Sequence, residues 1–128
     1  MIPEELHYYK DHEWVRVEAD GVAVIGITHF AQEELGDVVY VDLPEPGAEI
    51  QQFEKIGEIE SVKAVNDLFT PIGGKIIETN ARLKNEPELA NNEPYGDGWM
   101  LRVTMRDAAE IENLMDASAY EGFLKDGG

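Results

Sequence analysis

Apolar and polar residues alternate with a period of two over short stretches of most of this chain, and helix signals interrupt the alternation in three places. Trp14 to Glu18 sets Val15 and Val17 on one face and Arg16 and Glu18 on the other. Ala19-Asp20-Gly21 reads as a turn, and Val22 to Ile27 as the returning strand. Thr28 is positioned to N-cap a short helix through Leu35, with Gly36 as its stop. Asp37 to Leu43 is rich in β-branched residues and ends at Pro44 and Pro46, which cannot continue a ladder. Ile56 to Ser61 and Asp67 to Thr70 read as two strands of a hairpin, closed by Pro71 and Gly73-Gly74. Lys75 to Asn80 alternates again, with Ile77 and Thr79 opposite Ile76 and Glu78, and Trp99 to Met105 is the last strand. Between them, residues 81–98 carry Pro87, Pro94, Gly96 and Gly98 and read as a long loop, of the kind that is functional or packed over a core.

The ends have a different character. Residues 1–10 read as a loosely ordered lead-in. Asp107-x-x-Glu110 has the form of a capping box opening a helix with Ile111, Leu114 and Met115 as its apolar stripe. Ser118-x-x-Glu121 opens a second short helix with Tyr120, Phe123 and Leu124 inward, and Gly127-Gly128 is expected to fray. Short strands at close spacing, separated by turn signals, predict a β-sandwich or barrel. At 128 residues the expectation is one domain, residues 1–128, with a β core over about 12–105 and C-terminal helices over 107–126.

Charge narrows the function. Twenty-seven acidic against 10 basic residues leave a net charge of −17. That disfavours nucleic acid and anionic membrane, since phosphate binding needs clustered Lys and Arg. It suits a protein that docks transiently on basic patches of partners, or one whose charge maintains solubility. With no cysteine, neither a disulfide nor a Cys-based metal site can form, and any redox sulfur must arrive on a prosthetic group. The first residues lack an apolar or Arg-rich leader, so a cytoplasmic chain is expected; a monomer is expected as well. His7, His12 and His29 match no metal-ligand spacing, and no nucleophile set accompanies them.

The chemistry centres on Lys63, in Glu60-Ser61-Val62-Lys63-Ala64 between the two hairpin strands. A solvated hairpin lysine is the default for such a position. The surroundings change that. ESVKA, Asp67 and TPIGGKIIETN, together with HEWV from His12, GIT with Ala31-Gln32 and LGDVV from Gly26, LPxPG from Leu43, and PYGDGW from Pro94, resemble the glycine cleavage system H proteins. The blocks run in the family's order over about 90 residues. One departure is Pro71-Ile72-Gly73-Gly74, where the family more often has a serine before the last glycine.

The resemblance implies a mainly β barrel-sandwich hybrid of the lipoyl and biotinyl type, with a short helix after the second strand and helices at the C-terminus. It implies lipoate attached covalently to Lys63, and a non-catalytic carrier. The arm would carry the aminomethyl group of glycine from the pyridoxal-phosphate glycine decarboxylase to the aminomethyltransferase, and its dithiol to dihydrolipoamide dehydrogenase. A lipoyl ligase or transferase would load it. Glu13 and Asp67 fall at the family's arm-contact positions and are candidates for holding the cationic cargo. An arm of roughly 14 Å would let one cargo visit several active sites. Biotin is disfavoured, because biotinyl lysines are flanked by methionine and Val62 and Ala64 flank this one. The alternatives are an H-like relay of lipoyl groups to other enzymes, an unmodified acidic adaptor, and a small enzyme using His12 and Glu13.

Overall fold

The structure, a computed structural model, describes residues 2–128; Met1 of the lead-in lies outside the described residues. Two antiparallel sheets face each other without closing into a barrel. The larger has strand order β1-β2-β3-β9-β8-β5, and the smaller β4-β6-β7. In the larger sheet β1 spans His7–Tyr8, β2 Glu13–Val17 and β3 Val22–Ile27. Its remaining strands are β5 (Glu49–Ile50), β8 (Gly74–Thr79) and β9 (Leu101–Met105). The smaller sheet is built from β4 (Val38–Asp42), β6 (Lys55–Ser61) and β7 (Val65–Phe69). Helix α1 (His29–Leu35) joins the two sheets, and Thr28 caps it by accepting from the Ala31 N–H at 3.1 Å.

Val15, Ile25, Ile27, Val103 and Ile76 of the larger sheet meet Val41, Ile59 and Leu68 of the smaller one in a shared core. The larger sheet also carries a second cluster on its other face, where Trp14 and Val24 pack with Leu6, Tyr8 and Tyr120. With both faces covered, Trp14 and Val15 are equally buried although neighbours in a strand point oppositely. The alternation expected of Trp14 to Glu18 therefore fails there, and it is Val17 that lies exposed. Trp14 is core, pressed on Gly26, where an added Cβ would lie 2.6 Å from its ring.

Four expectations need correction. Residues 2–10 are not a loose lead-in: β1 pairs with β2, and Tyr8 and Met115 exchange two backbone hydrogen bonds of 2.8 Å. The 81–98 connection is not plain loop but contains two one-turn helices, α2 (Arg82–Asn85) and α3 (Leu89–Asn92). The segment after Asp107 is a 3-10 turn over Ala108–Asn113, because Glu110 accepts from the Gly73 N–H at 2.8 Å instead of reaching back to close a capping box. The last helix, α4 (Ala117–Lys125), is capped by Asp116 and not by Ser118. Among the described residues no helix is long and apolar enough to cross a membrane.

Candidate functional site

β6 and β7 pair from Lys55↔Phe69 to Glu60↔Val65, leaving Val62-Lys63-Ala64 as the tip. Ser61 knots this tip. Its hydroxyl oxygen accepts from the N–H groups of Lys63 at 3.2 Å and Ala64 at 3.3 Å, while its own N–H donates to the Ala64 carbonyl at 2.8 Å. Three hydrogen bonds, satisfying four backbone groups within four residues, make the turn stiff. The flanking Val62 and Val65 are 68% and 57% exposed, so the tip stands in solvent. The Lys63 ammonium reaches back to the Glu34 carbonyl at 3.4 Å, a long contact at the C-terminal end of α1.

A cleft of about 590 Å³ opens beside the tip, between the sheets and against α1. Ile27, Ala31, Leu35, Ile59 and Leu68 give it an apolar wall, and Glu13, Ser61, Lys63 and Asp67 its polar edge. The cleft thus brings together the three residues marked in the sequence, Lys63, Glu13 and Asp67. The two carboxylates differ greatly. Asp67 is half exposed and already paired, 3.1 Å from the Lys55 ammonium, which also meets Glu58 at 3.2 Å. Glu13 is 2% exposed. Its Oε2 accepts from the Phe69 N–H at 3.2 Å, linking the two sheets, and its buried Oε1 has no partner. Burial, reinforced by the Asp11 carboxylate nearby, raises the Glu13 pKa well above the ordinary carboxyl range, against the Phe69 hydrogen bond.

His12 does not team with Glu13. One ring nitrogen lies 2.9 Å from the Gly128 carbonyl oxygen, so Nε2 must donate; Nδ1 then accepts from the Tyr120 hydroxyl at 2.7 Å. Tyr120 in turn is 2.9 Å from Thr28, the cap of α1. Burial lowers the His12 pKa, in keeping with a neutral ring, and raises that of Tyr120 to about 12. The ring's bonds hold α4 to the body of the protein. Among the described residues no group of side chains could hold a metal ion.

A stiff hairpin presenting a lysine beside an inter-sheet cleft defines the lipoyl-domain-like class. The comparisons narrow the class. The sequence model described as glycine cleavage H-protein matches residues 6–127, and the chain belongs to that family. It is 51% identical over 126 residues to a glycine cleavage system H protein of Symbiobacterium thermophilum, covering 98% of each chain. It is 50% identical over 125 residues to one of Escherichia coli, covering 98% of this chain and 97% of that one. A crystal structure of a glycine cleavage system H protein from Mycobacterium marinum superposes with a TM-score of 0.88 at 39% identity, covering 99% of this chain and 100% of the other.

The sequence did not point to Ser61 or Asn91. Ser61 stood inside the recognised ESVKA block without a role of its own. Asn91, whose side chain bonds the Gly36 carbonyl and the Val38 N–H beside the hairpin tip, lies in the 81–98 connection, where no motif marks it.

Proposed function

We propose that Lys63 is acylated by lipoate and that the chain serves as the mobile carrier of the glycine cleavage system, without turnover of its own. One observation carries the reading: a solvent-facing amine on a knotted hairpin stands at the mouth of an apolar cleft containing a buried carboxyl oxygen with no partner. An apolar arm ending in a polar cargo fits such a cleft, since the wall receives the methylenes and Glu13 offers the orphaned oxygen. When attached, the lipoyl group supplies a disulfide that takes up the aminomethyl unit of glycine and a dithiol that a dehydrogenase can reoxidise. Glycine decarboxylase, aminomethyltransferase and dihydrolipoamide dehydrogenase are the partners that chemistry requires.

The chain's own residues have three tasks. Ser61 fixes where the arm begins. Ile27, Leu35, Ile59 and Leu68 exclude water from the cleft. Glu13 meets a cationic cargo, and ionises to do so. Asp67 adds negative field at the rim, although Lys55 already offsets part of it. In the acylation step Nζ attacks the carbonyl carbon of an activated lipoyl donor. The ammonium first gives one proton to solvent to free the lone pair; the C–N bond then forms, the bond to the donor's leaving group breaks, and a second proton leaves the nitrogen to solvent or with that group.

Treatment with lipoate, ATP and a lipoyl ligase should add one lipoyl group, mapped by peptide mass spectrometry to Lys63. Lys63→Arg keeps the charge but should take none, with its melting temperature unchanged. A lipoyl group on Lys55 or Lys75 would sink this assignment.

A further inference from the structure

Lys63 rests on the corner between α1 and β4, and another element holds that corner. Two contacts tie the hairpin tip to it: the Val62 N–H donates to the Asp37 carbonyl at 3.0 Å, and the Lys63 ammonium lies 3.4 Å from the Glu34 carbonyl. Between Glu34 and Asp37, Gly36 adopts φ 76, and a Cβ there would lie 3.3 Å from Lys63 Cε, so the lysine stem crosses a position open only to glycine.

The side chain of Asn91, from α3, grips this corner on both sides of Asp37. Its Oδ1 accepts from the Val38 N–H at 2.8 Å, and its Nδ2 donates to the Gly36 carbonyl at 2.8 Å and to Gln32 Oε1 at 3.1 Å. The pattern fixes the amide's orientation, because flipping it would set donor against donor and acceptor against acceptor. Val38 is also the β4 residue paired with Ser61, the residue that knots the tip. Asn91 thus holds both residues that flank Asp37, on which the hairpin tip rests, and its own three polar contacts are satisfied within the protein.

We propose that Asn91 is a positioning residue for acylation: by clamping Gly36 and Val38 it fixes the platform from which Lys63 is presented to the lipoyl-attaching enzyme. The proposal rests on Lys63 being the acylated residue. It goes beyond that reading by making presentation depend on an element 28 residues away in sequence, counted from Lys63 to Asn91. The attacking nitrogen must meet an activated carbonyl within a narrow range of positions, so loosening the platform acts on rate without touching the amine.

The test compares ligase-catalysed lipoylation of the full chain, as kcat/KM, with amide hydrogen exchange at Val62. Asn91→Ala should lower kcat/KM on the order of tenfold and unprotect the Val62 amide. Asn91→Asp keeps the acceptor for Val38 but sets an oxygen against the Gly36 carbonyl and Gln32 Oε1, so it should slow acylation at least as much as alanine; it is the second variant if the alanine variant does not fold. Asp116→Ala, which weakens α4 away from this corner, is the control for general destabilisation and should leave both readouts near wild type. Wild-type rates in both Asn91 variants would overturn the proposal while leaving the lipoyl reading standing. Equal slowing by Asp116→Ala would overturn it as well. A wild-type chain that takes no lipoyl group at Lys63 would overturn both.

Discussion

Glu13 carries the most unusual charge environment in the site. A carboxyl that is 2% exposed, with one oxygen unpartnered, favours the proton that lets it stay neutral. Its ordinary value is 4.5, and its folded value lies well above. The stability held by the neutral form is complete below the ordinary value and is lost as pH rises through the folded one. Glu13→Gln imitates the neutral form at every pH. It should therefore be more stable than wild type near pH 8, by about 1–3 kcal/mol, and the difference should close as pH falls toward 4. Urea unfolding across that range checks it, and parallel curves would mean that Glu13 is solvated after all. The resemblance to the family picked out this residue, but alternation could not reveal its burial. Periodicity reads one covered face, and β2 is covered on both. The resemblance marks Asp67 too, and it lines the cleft, whereas its pairing with Lys55 follows from strand register that no local pattern states.

Elements with strong local signals follow the sequence closely. Thr28 caps α1, Gly36 ends it, and the β6–β7 hairpin closes around Lys63. Those that depend on distant partners do not. β1 is two residues long and exists because β2 and Met115 receive its hydrogen bonds. α4 starts two residues before the sequence expectation, because Asp116 and Ser118 are both capping types and only the backbone decides between them. Asp116 accepts from the Ala119 N–H at 2.8 Å. Asp116→Ala should cost about 1 kcal/mol, while Ser118→Ala should cost almost nothing. Thermal denaturation of the two variants side by side distinguishes the caps. A larger loss from Ser118→Ala would restore the sequence expectation.

At the scale of the molecule, a charge of −17 sets the terms of encounter with partners. Raising salt from low concentration to about 0.5 M shortens the screening length to a few ångströms. On the proposed function, loading of the lipoylated carrier by glycine decarboxylase should then show a rising apparent KM with little change in kcat, since steering acts before chemistry. A KM indifferent to salt would leave the charge to solubility alone. The fold class was legible because strand spacing and the family motifs agreed. The inter-sheet cleft was not, for its walls come from strands and a helix brought together only by tertiary packing.

The clamp by Asn91 also has a consequence in time. A ribosome makes Lys63 28 residues before Asn91, a lag of roughly 1.5–6 s at ordinary synthesis rates. The hairpin is local and can zip as soon as it emerges, yet its footing at Val38 waits for a residue 53 positions further along. During that interval the lysine exists without its platform. A nascent chain arrested before α3 should accordingly be a poor acceptor for the acyl group. On the proposed role of Asn91, attachment would then certify a finished fold, and an unfinished one would be passed over without any dedicated inspector.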